Sequence, residues 1–307
     1  MDHTNIMKRK VIQLARKTHV ICLPSVWVHQ YNIKKGQELD IEEKGRSLLI
    51  SAHGDLGESV KHLDISGFSR ALIRRCLGTL YKVGFDRFEV HFSNPREYAD
   101  AQEVIYEEFL GFEIVNQEKN TFSVRQLTHI EAEGLEVVLR RIFRIIQGMA
   151  NDSIEAIKKK DKDWLTSIAL RDLSINKLAD FCRRILNKQG LMEQQKAAPL
   201  YFIVETLEKI GDAYRDYARQ AAETIPQEKT LLDFHQKINI FFNSFYDLFY
   251  TFSLINVDKF LTTKTELEKQ FHTLFKKSRT AQIYYLYLYS ILYMVYDLNG
   301  PLMAYHL

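Results

Sequence analysis

Beyond Thr128 the chain follows one period: apolar residues return every three or four positions, in long stretches joined by short connections. Thr128-His129-Ile130-Glu131 reads as a capping box, in which the threonine and the glutamate satisfy each other's backbone N–H groups. Leu135, Val138, Leu139, Ile142, Ile145, Ile146 and Met149 then form an apolar stripe. A second helix is predicted over 162–189, stopped by Gly190, and a third runs from Pro199 to about Thr224, closed by Pro226. A fourth, over 230–254, lines up Phe234, Ile238, Phe241, Phe245, Phe249 and Phe252. A fifth covers 257–277 and a sixth 279–298, ending at Asn299-Gly300-Pro301. Helices of this length with short loops predict an all-α bundle over 128–307, built from two three-helix repeats that share little sequence.

The first 127 residues obey other periods. Val11-Ile12-Gln13-Leu14 and Thr18 to Leu23 are β-type runs, and Pro24 ends the second. Ser25 to Tyr31 fits one or two helical turns, with Trp27 and Tyr31 four apart on one face. Lys34-Lys35-Gly36-Gln37 is a turn, and Glu38 to Glu42 and Arg46 to Ser51 are further strands. From 52 to 127 the signals mix. Helical spacing over Gly67 to Val83 is capped by Gly84, and Arg87 to Phe92 alternates as a strand. Asn94-Pro95 opens a helix that runs to about Leu110, and Phe112–Val115 with Thr121–Leu127 reads as a hairpin. The fold class is therefore multidomain α+β: a strand module at 7–51, a small α+β unit at 52–127 and the bundle.

A chain of 307 residues exceeds one comfortable core. Its net charge of +3 says little about partners, so the location of the positive charge matters more. Cys22, Cys76 and Cys182 lack metal-binding spacing and read as buried or half-buried thiols in a reducing compartment. Lys8, Arg9 and Lys10 are not followed by a long apolar run, so no secretory leader is expected. Ala281 to Tyr296 is free of charge but too short and too rich in tyrosine to span a bilayer, and reads as a buried bundle helix. Tyr284, Tyr285, Tyr287, Tyr289, Tyr293 and Tyr296 fall on too many sides for all to be core, which places some at a dimer or partner surface. No phosphate-binding glycine loop, nucleophile elbow or Cys-x-x-Cys pair is present, and no histidines are spaced four apart with a glutamate base. The sequence offers no case for an enzyme, and a cytoplasmic location is expected.

Arg9-Lys10-Val11, Thr18, Leu23-Pro24-Ser25-Val26-Trp27, Ile33-Lys34-Lys35-Gly36 and Leu39-Asp40-Ile41 resemble the AbrB/SpoVT swapped-hairpin domain. The version that fronts archaeal phosphate-uptake-regulator (PhoU) proteins is the nearest. Arg74-Arg75, Tyr81 to Asp86 and Leu110 to Val115 are similar to the middle segment of such proteins. Glu208-Lys209-Ile210-Gly211-Asp212 is similar to the glutamate-arginine-x-glycine-aspartate signature of PhoU bundles. The chain departs from the pattern in having Ala15-Arg16 at the usual Gly-Gly turn and Gln37 where an acid is common. The resemblance implies two chains interleaved in one barrel, hence a homodimer or higher oligomer, with the basic residues of the first hairpin turned toward DNA.

On that basis Lys8, Arg9, Lys10, Arg16 and Lys17 are candidate contacts to double-stranded DNA, because a doubled basic surface displaces counterions from phosphates. The same residues would equally serve a solvated strand edge, where lysine discourages aggregation. Glu208 and Asp212 share one helical face, and the resemblance implies a cation, iron, zinc or magnesium, held between them and Asp172. The motif is degenerate: Arg171 stands where an acid is common and Asn176 follows Asp172 by four. In the second repeat Asp297 matches Asp212 while Tyr293 replaces the glutamate. These acids could also simply pair with lysines such as Lys209. The sequence thus points to a dimeric DNA-binding regulator of phosphate homeostasis. The alternative is a dimeric scaffold whose bundle docks a transporter or signalling protein, and a metal-sensing bundle is a third reading.

Overall fold

The computed structural model describes residues 8–14, 17–44, 47–51, 60–128, 134–189 and 194–307. The His129-Ile130-Glu131 part of the expected capping box and the Ala15-Arg16 turn lie outside them. The chain is mixed α/β and mostly helical. It divides into two compact units, Met1–Val60 and Lys61–Leu307.

The first unit is two separate antiparallel hairpins and one short helix. Strand β1 (Val11–Leu14) pairs with β2 (Thr18–Ile21), placing Ile12 opposite Val20. Helix α1 (Ser25–Gln30) follows Pro24, and Trp27 meets Tyr31 at 5.7 Å between ring centroids. In the next turn Gly36 has φ +85°, which suits the third position of a type II turn, and Gln37 N–H closes on the Lys34 carbonyl at 3.1 Å. The Gln37 side-chain oxygen also accepts from Lys34 N–H at 3.0 Å. Strand β3 (Asp40–Lys44) pairs with β4 (Ser47–Ser51), two residues later than the predicted start of β3. Among the described residues the hairpins do not close into a barrel, and no residue of this unit is buried. Cys22 is exposed here, against the expectation of a sheltered thiol, while Cys76 is half-buried and Cys182 buried.

The second unit begins with a four-stranded sheet in the order β5-β6-β8-β7. Strand β5 (Lys61–Asp64), too short to be read from the sequence, runs parallel to β6 (Arg87–His91), with helix α2 (Arg70–Val83) as the crossover. The α2 start falls at the Ser69 cap rather than at Gly67, whose φ of +76° precludes a regular first turn. Helix α3 (Pro95–Glu108) carries a full capping box of Asn94 and Glu97. Glu97 is buried and accepts from Ser93 N–H and Gly67 N–H at 2.7 Å each. These backbone bonds, Ser93 foremost, hold its carboxyl below the usual range despite burial. Strands β7 (Phe112–Gln117) and β8 (Thr121–Gln126) form the hairpin, with an irregularity between Ile114 and Asn116. Ile73, Leu77, Tyr81, Phe88, Val90, Val104, Ile105, Phe112 and Phe122 fill the space between sheet and helices.

The bundle follows: α4 (Gly134–Lys159), α5 (Lys162–Leu170), α6 (Asp172–Gln189), α7 (Gln194–Glu223), α8 (Lys229–Tyr250), α9 (Leu254–Lys277), α10 (Gln282–Asp297) and α11 (Asn299–His306). The single helix expected over 162–189 breaks at Arg171, whose guanidinium turns to Asp152 of α4 at 2.6 Å. Asn299-Gly300-Pro301 starts a helix rather than ending one, since proline is tolerated in a first turn whose N–H groups have no partner. The phenylalanine stripe of α8 is core from Phe234 to Phe249, with Phe252 half-buried beyond the helix end. On α10, Tyr284 and Tyr285 are buried while Tyr293 is exposed. No helix among the described residues is long and apolar enough to cross a membrane.

A polar seam runs through this core. Tyr214 Oη donates to Asn239 at 2.9 Å, and Asn239 reaches Asn151 of α4 at 3.1 Å. His235 Nδ1 lies 3.1 Å from Tyr217 Oη, its ring wholly buried between Tyr214 and Tyr217. Burial pulls the His235 pKa down from 6.5 to about 3. The unfolded chain therefore takes up this proton first, so the stability contributed by the neutral ring is complete above pH 6.5 and is lost as pH falls toward 3. Urea titrations of wild type should steepen below pH 6.5, with this site approaching about 1.4 kcal/mol per pH unit. His235→Gln should flatten that part of the profile; an unchanged profile would mean the ring is solvated.

Candidate functional site

Two groups of charged side chains stand out. The first is the basic edge of the amino-terminal unit. Lys8, Arg9 and Lys10 lead into β1 and Lys17 leads into β2, all exposed. Arg16 lies outside the described residues. Beside this edge Val11 (65% exposed), Ile12, Leu14 and Ile21 are open to solvent, as are Ile41 and Leu48 on the other hairpin. A lone two-stranded ribbon is marginal in water.

The second group lies along antiparallel helices α6 and α7. Asp172 starts α6, where the helix dipole favours a carboxylate, and is 2% exposed. Its Oδ2 accepts from Arg215 of α7 at 2.8 Å. Asp212 pairs with the same guanidinium, and Asp216 adds a third contact at 2.8 Å. Burial raises the Asp172 pKa, opposed by Arg215. For Arg215, desolvation is outweighed by its bonds to Asp216 and Asp172, and its pKa rises. Glu208 does not join this group. It faces Arg183 of α6, which also holds Glu205 at 2.6 Å and Asp180 one turn back on its own helix. Arg183 is 4% exposed.

The structure thus brings Asp172 and Asp212 together and sets Glu208 apart, each acid turned to an arginine rather than to Lys209. Among the described residues no group of three or more histidines, cysteines, aspartates or glutamates is placed to hold a metal ion. The donor set implied for iron, zinc or magnesium does not fit, because guanidinium groups occupy the carboxylates. In the second repeat Tyr293 donates to Glu268 at 2.7 Å, and Lys264 binds Glu268 at 2.9 Å while lying over the Tyr293 and Tyr296 rings. Lys264 first, then Tyr293, holds the Glu268 carboxyl down at about 2.

The arginines were legible as a pattern that acid-centred reading passes over. Asp180-Phe-Cys-Arg183 and Asp212-Ala-Tyr-Arg215 are the same Asp-x-x-Arg spacing on facing helices. Antiparallel packing delivers each arginine to acids of its own helix and of the opposite one. Gly211 allows the approach: a Cβ there would lie 2.7 Å from Ile175 Cδ1 and 3.5 Å from Asp172 Oδ1.

Residues 139–221 match the PhoU domain family. The matched PhoU segment contains α5, α6 and most of α4 and α7, and with them Asp172, Glu208, Gly211, Asp212 and both clamping arginines. It supports a PhoU-family protein. No curated protein and no solved structure matches the chain.

Gly211→Ala should lower stability despite alanine's helix preference of about 1 kcal/mol, because overpacking against buried Ile175 costs about 1–3 kcal/mol. Gly78→Ala in α2, where a Cβ meets nothing within 4 Å, should instead stabilise by about 0.5–1 kcal/mol. Chemical denaturation of the two variants gives opposite signs if the α6–α7 approach is as tight as described.

Proposed function

We propose that this protein is a dimeric DNA-binding regulator of phosphate homeostasis, with a DNA-contacting module at 7–51, an α+β unit at 52–127 and a PhoU-type bundle at 128–307. The carrying observation is the state of the hairpins. Val11, Ile12, Leu14, Ile21, Ile41 and Leu48 are exposed, and none of the module's described residues is buried. A second copy of the same hairpins would cover these residues, as the AbrB/SpoVT resemblance implies. It would also set two copies of Lys8, Arg9, Lys10, Arg16 and Lys17 on one surface, where counterion release drives phosphate binding. The PhoU match supports the regulatory half of this reading.

A second reading, an interaction scaffold, draws on α10. Ala281 to Tyr296 carries no charge and leaves Ile283, Leu286 and Tyr293 exposed, the kind of surface a transporter or signalling protein could cover. Fluorescence anisotropy with duplex DNA from the protein's own upstream region, across a salt series, separates the two. The regulator should lose affinity steeply with salt, at a log–log slope of about −0.9 per phosphate contacted. The Lys8→Ala/Arg9→Ala/Lys10→Ala/Arg16→Ala/Lys17→Ala variant should bind at least about tenfold more weakly. Absence of binding by a folded dimer at low salt favours the scaffold, and a monomer in light scattering removes the dimeric basis of both.

A further inference from the structure

The arrangement of α6 and α7 carries a consequence for how the bundle responds to cations. Two guanidinium groups, one on each helix of the pair, gather six carboxylates. Arg215 holds Asp172, Asp212 and Asp216, and Arg183 holds Asp180, Glu205 and Glu208. In each clamp one acid comes from the residue three positions before the arginine and at least one from the facing helix. A guanidinium offers five N–H donors in a plane, stays protonated at any pH where the fold exists, and cannot leave. A bound divalent ion performs the same joining of helices but comes and goes with its concentration.

We propose that Arg183 and Arg215 are the resident cations of this helix pair, so that the bundle keeps its fold without divalent metal and does not sense it. Arg215 is the group that holds a latent cation site shut. Without it, Asp172 and Asp212 would face one another across the Gly211 approach with no counter-charge between them. Asp172 Oδ1 and the side-chain oxygen of Asn176 are already buried with no hydrogen-bond partner. Carboxylate and amide oxygens of this kind are the ligands hard divalent cations take. The chain thus carries oxygen donors here and sets its own guanidinium among them.

The test is thermal unfolding of the full chain in excess EDTA and in a manganese titration, with bound Mn2+ followed by electron paramagnetic resonance. Wild type should melt at the same temperature in both, within about 1 °C, and bind no manganese at α6–α7. Arg215→Ala should melt lower in EDTA and recover in a concentration-dependent way, by on the order of 5 °C at saturation, as a ligand of the native state requires. Adding Asp172→Asn should abolish the recovery and the bound-manganese signal. The proposal is overturned if chelation lowers the wild-type melting temperature, or if Arg215→Ala folds but ignores the cation. Should Arg215→Ala not fold, the wild-type comparison decides alone, because a metal-held bundle must respond to EDTA.

Discussion

Arg184 is buried where two cores meet. Its side chain is 3% exposed and reaches from α6 into the end of α2, donating to the Tyr81 carbonyl at 2.8 Å and the Phe85 carbonyl at 2.9 Å. It also bonds Gln126 at 2.8 Å and the Asp86 carboxylate, with its guanidinium over the Tyr81 and Phe112 rings. Desolvation lowers its pKa, opposed by Asp86. A helix ends with carbonyls that lack partners, and burying such an end is costly unless something donates to them. Arg184 supplies part of that need, and Gly84, in the left-handed conformation, ends the helix and donates its own N–H to the Leu80 and Tyr81 carbonyls. The approach is close: a Cβ on Gly84 would lie 2.8 Å from Lys188 Cγ, and Lys188 shares Asp86 with Arg184.

Arg183 and Arg184 are neighbours in sequence, and the helical turn of about 100° between them sends them to different duties. Arg183 joins α6 to α7 inside the bundle, and Arg184 joins α6 to the sheet module. Helix α6 is thereby fixed on two sides by groups that leave no buried charge without an opposite one. That restriction matters because breaking one partner out of a buried pair costs far more than the pair contributes. The amino-terminal hairpins show the opposite economy of structure. They pair strand to strand and carry apolar side chains, but none of their described residues is buried.

Much of the architecture was legible because periodicity reports it directly. The helical period beyond 128, the hairpin around Asn116–Asn120, and the Asn94-Pro95 start of α3 follow from local chemistry that tertiary packing did not override. Where reading and structure part, the causes are local too. Strand β5 has four residues, three of them exposed and polar or charged, so it carries no alternating signal. At the break Arg171 contacts Asp152, nineteen residues away, a pairing that no local pattern encodes. Asp172, Glu208 and Asp212 are legible as acids on helices, but their pairing with Arg183 and Arg215 is not, because it depends on helix orientation. In the segment Tyr81 to Asp86, where Gly84 was legible as a helix cap, the structure adds the bonds from Arg184 to the Tyr81 and Phe85 carbonyls.

The claim on which the account rests is that Arg184 makes the α+β module and the bundle one cooperative body. Native-state hydrogen exchange tests it most directly, comparing core amides of α2, such as Leu77 and Tyr81, with those of α7, such as Ile210 and Tyr214. In wild type both sets should exchange through one global opening with the same denaturant dependence. In Arg184→Ala the α2 set should lose about 2–4 kcal/mol of protection while α7 keeps most of its own. Separate openings in wild type, or an Arg184→Ala variant in which α2 remains as protected as α7, would contradict the account.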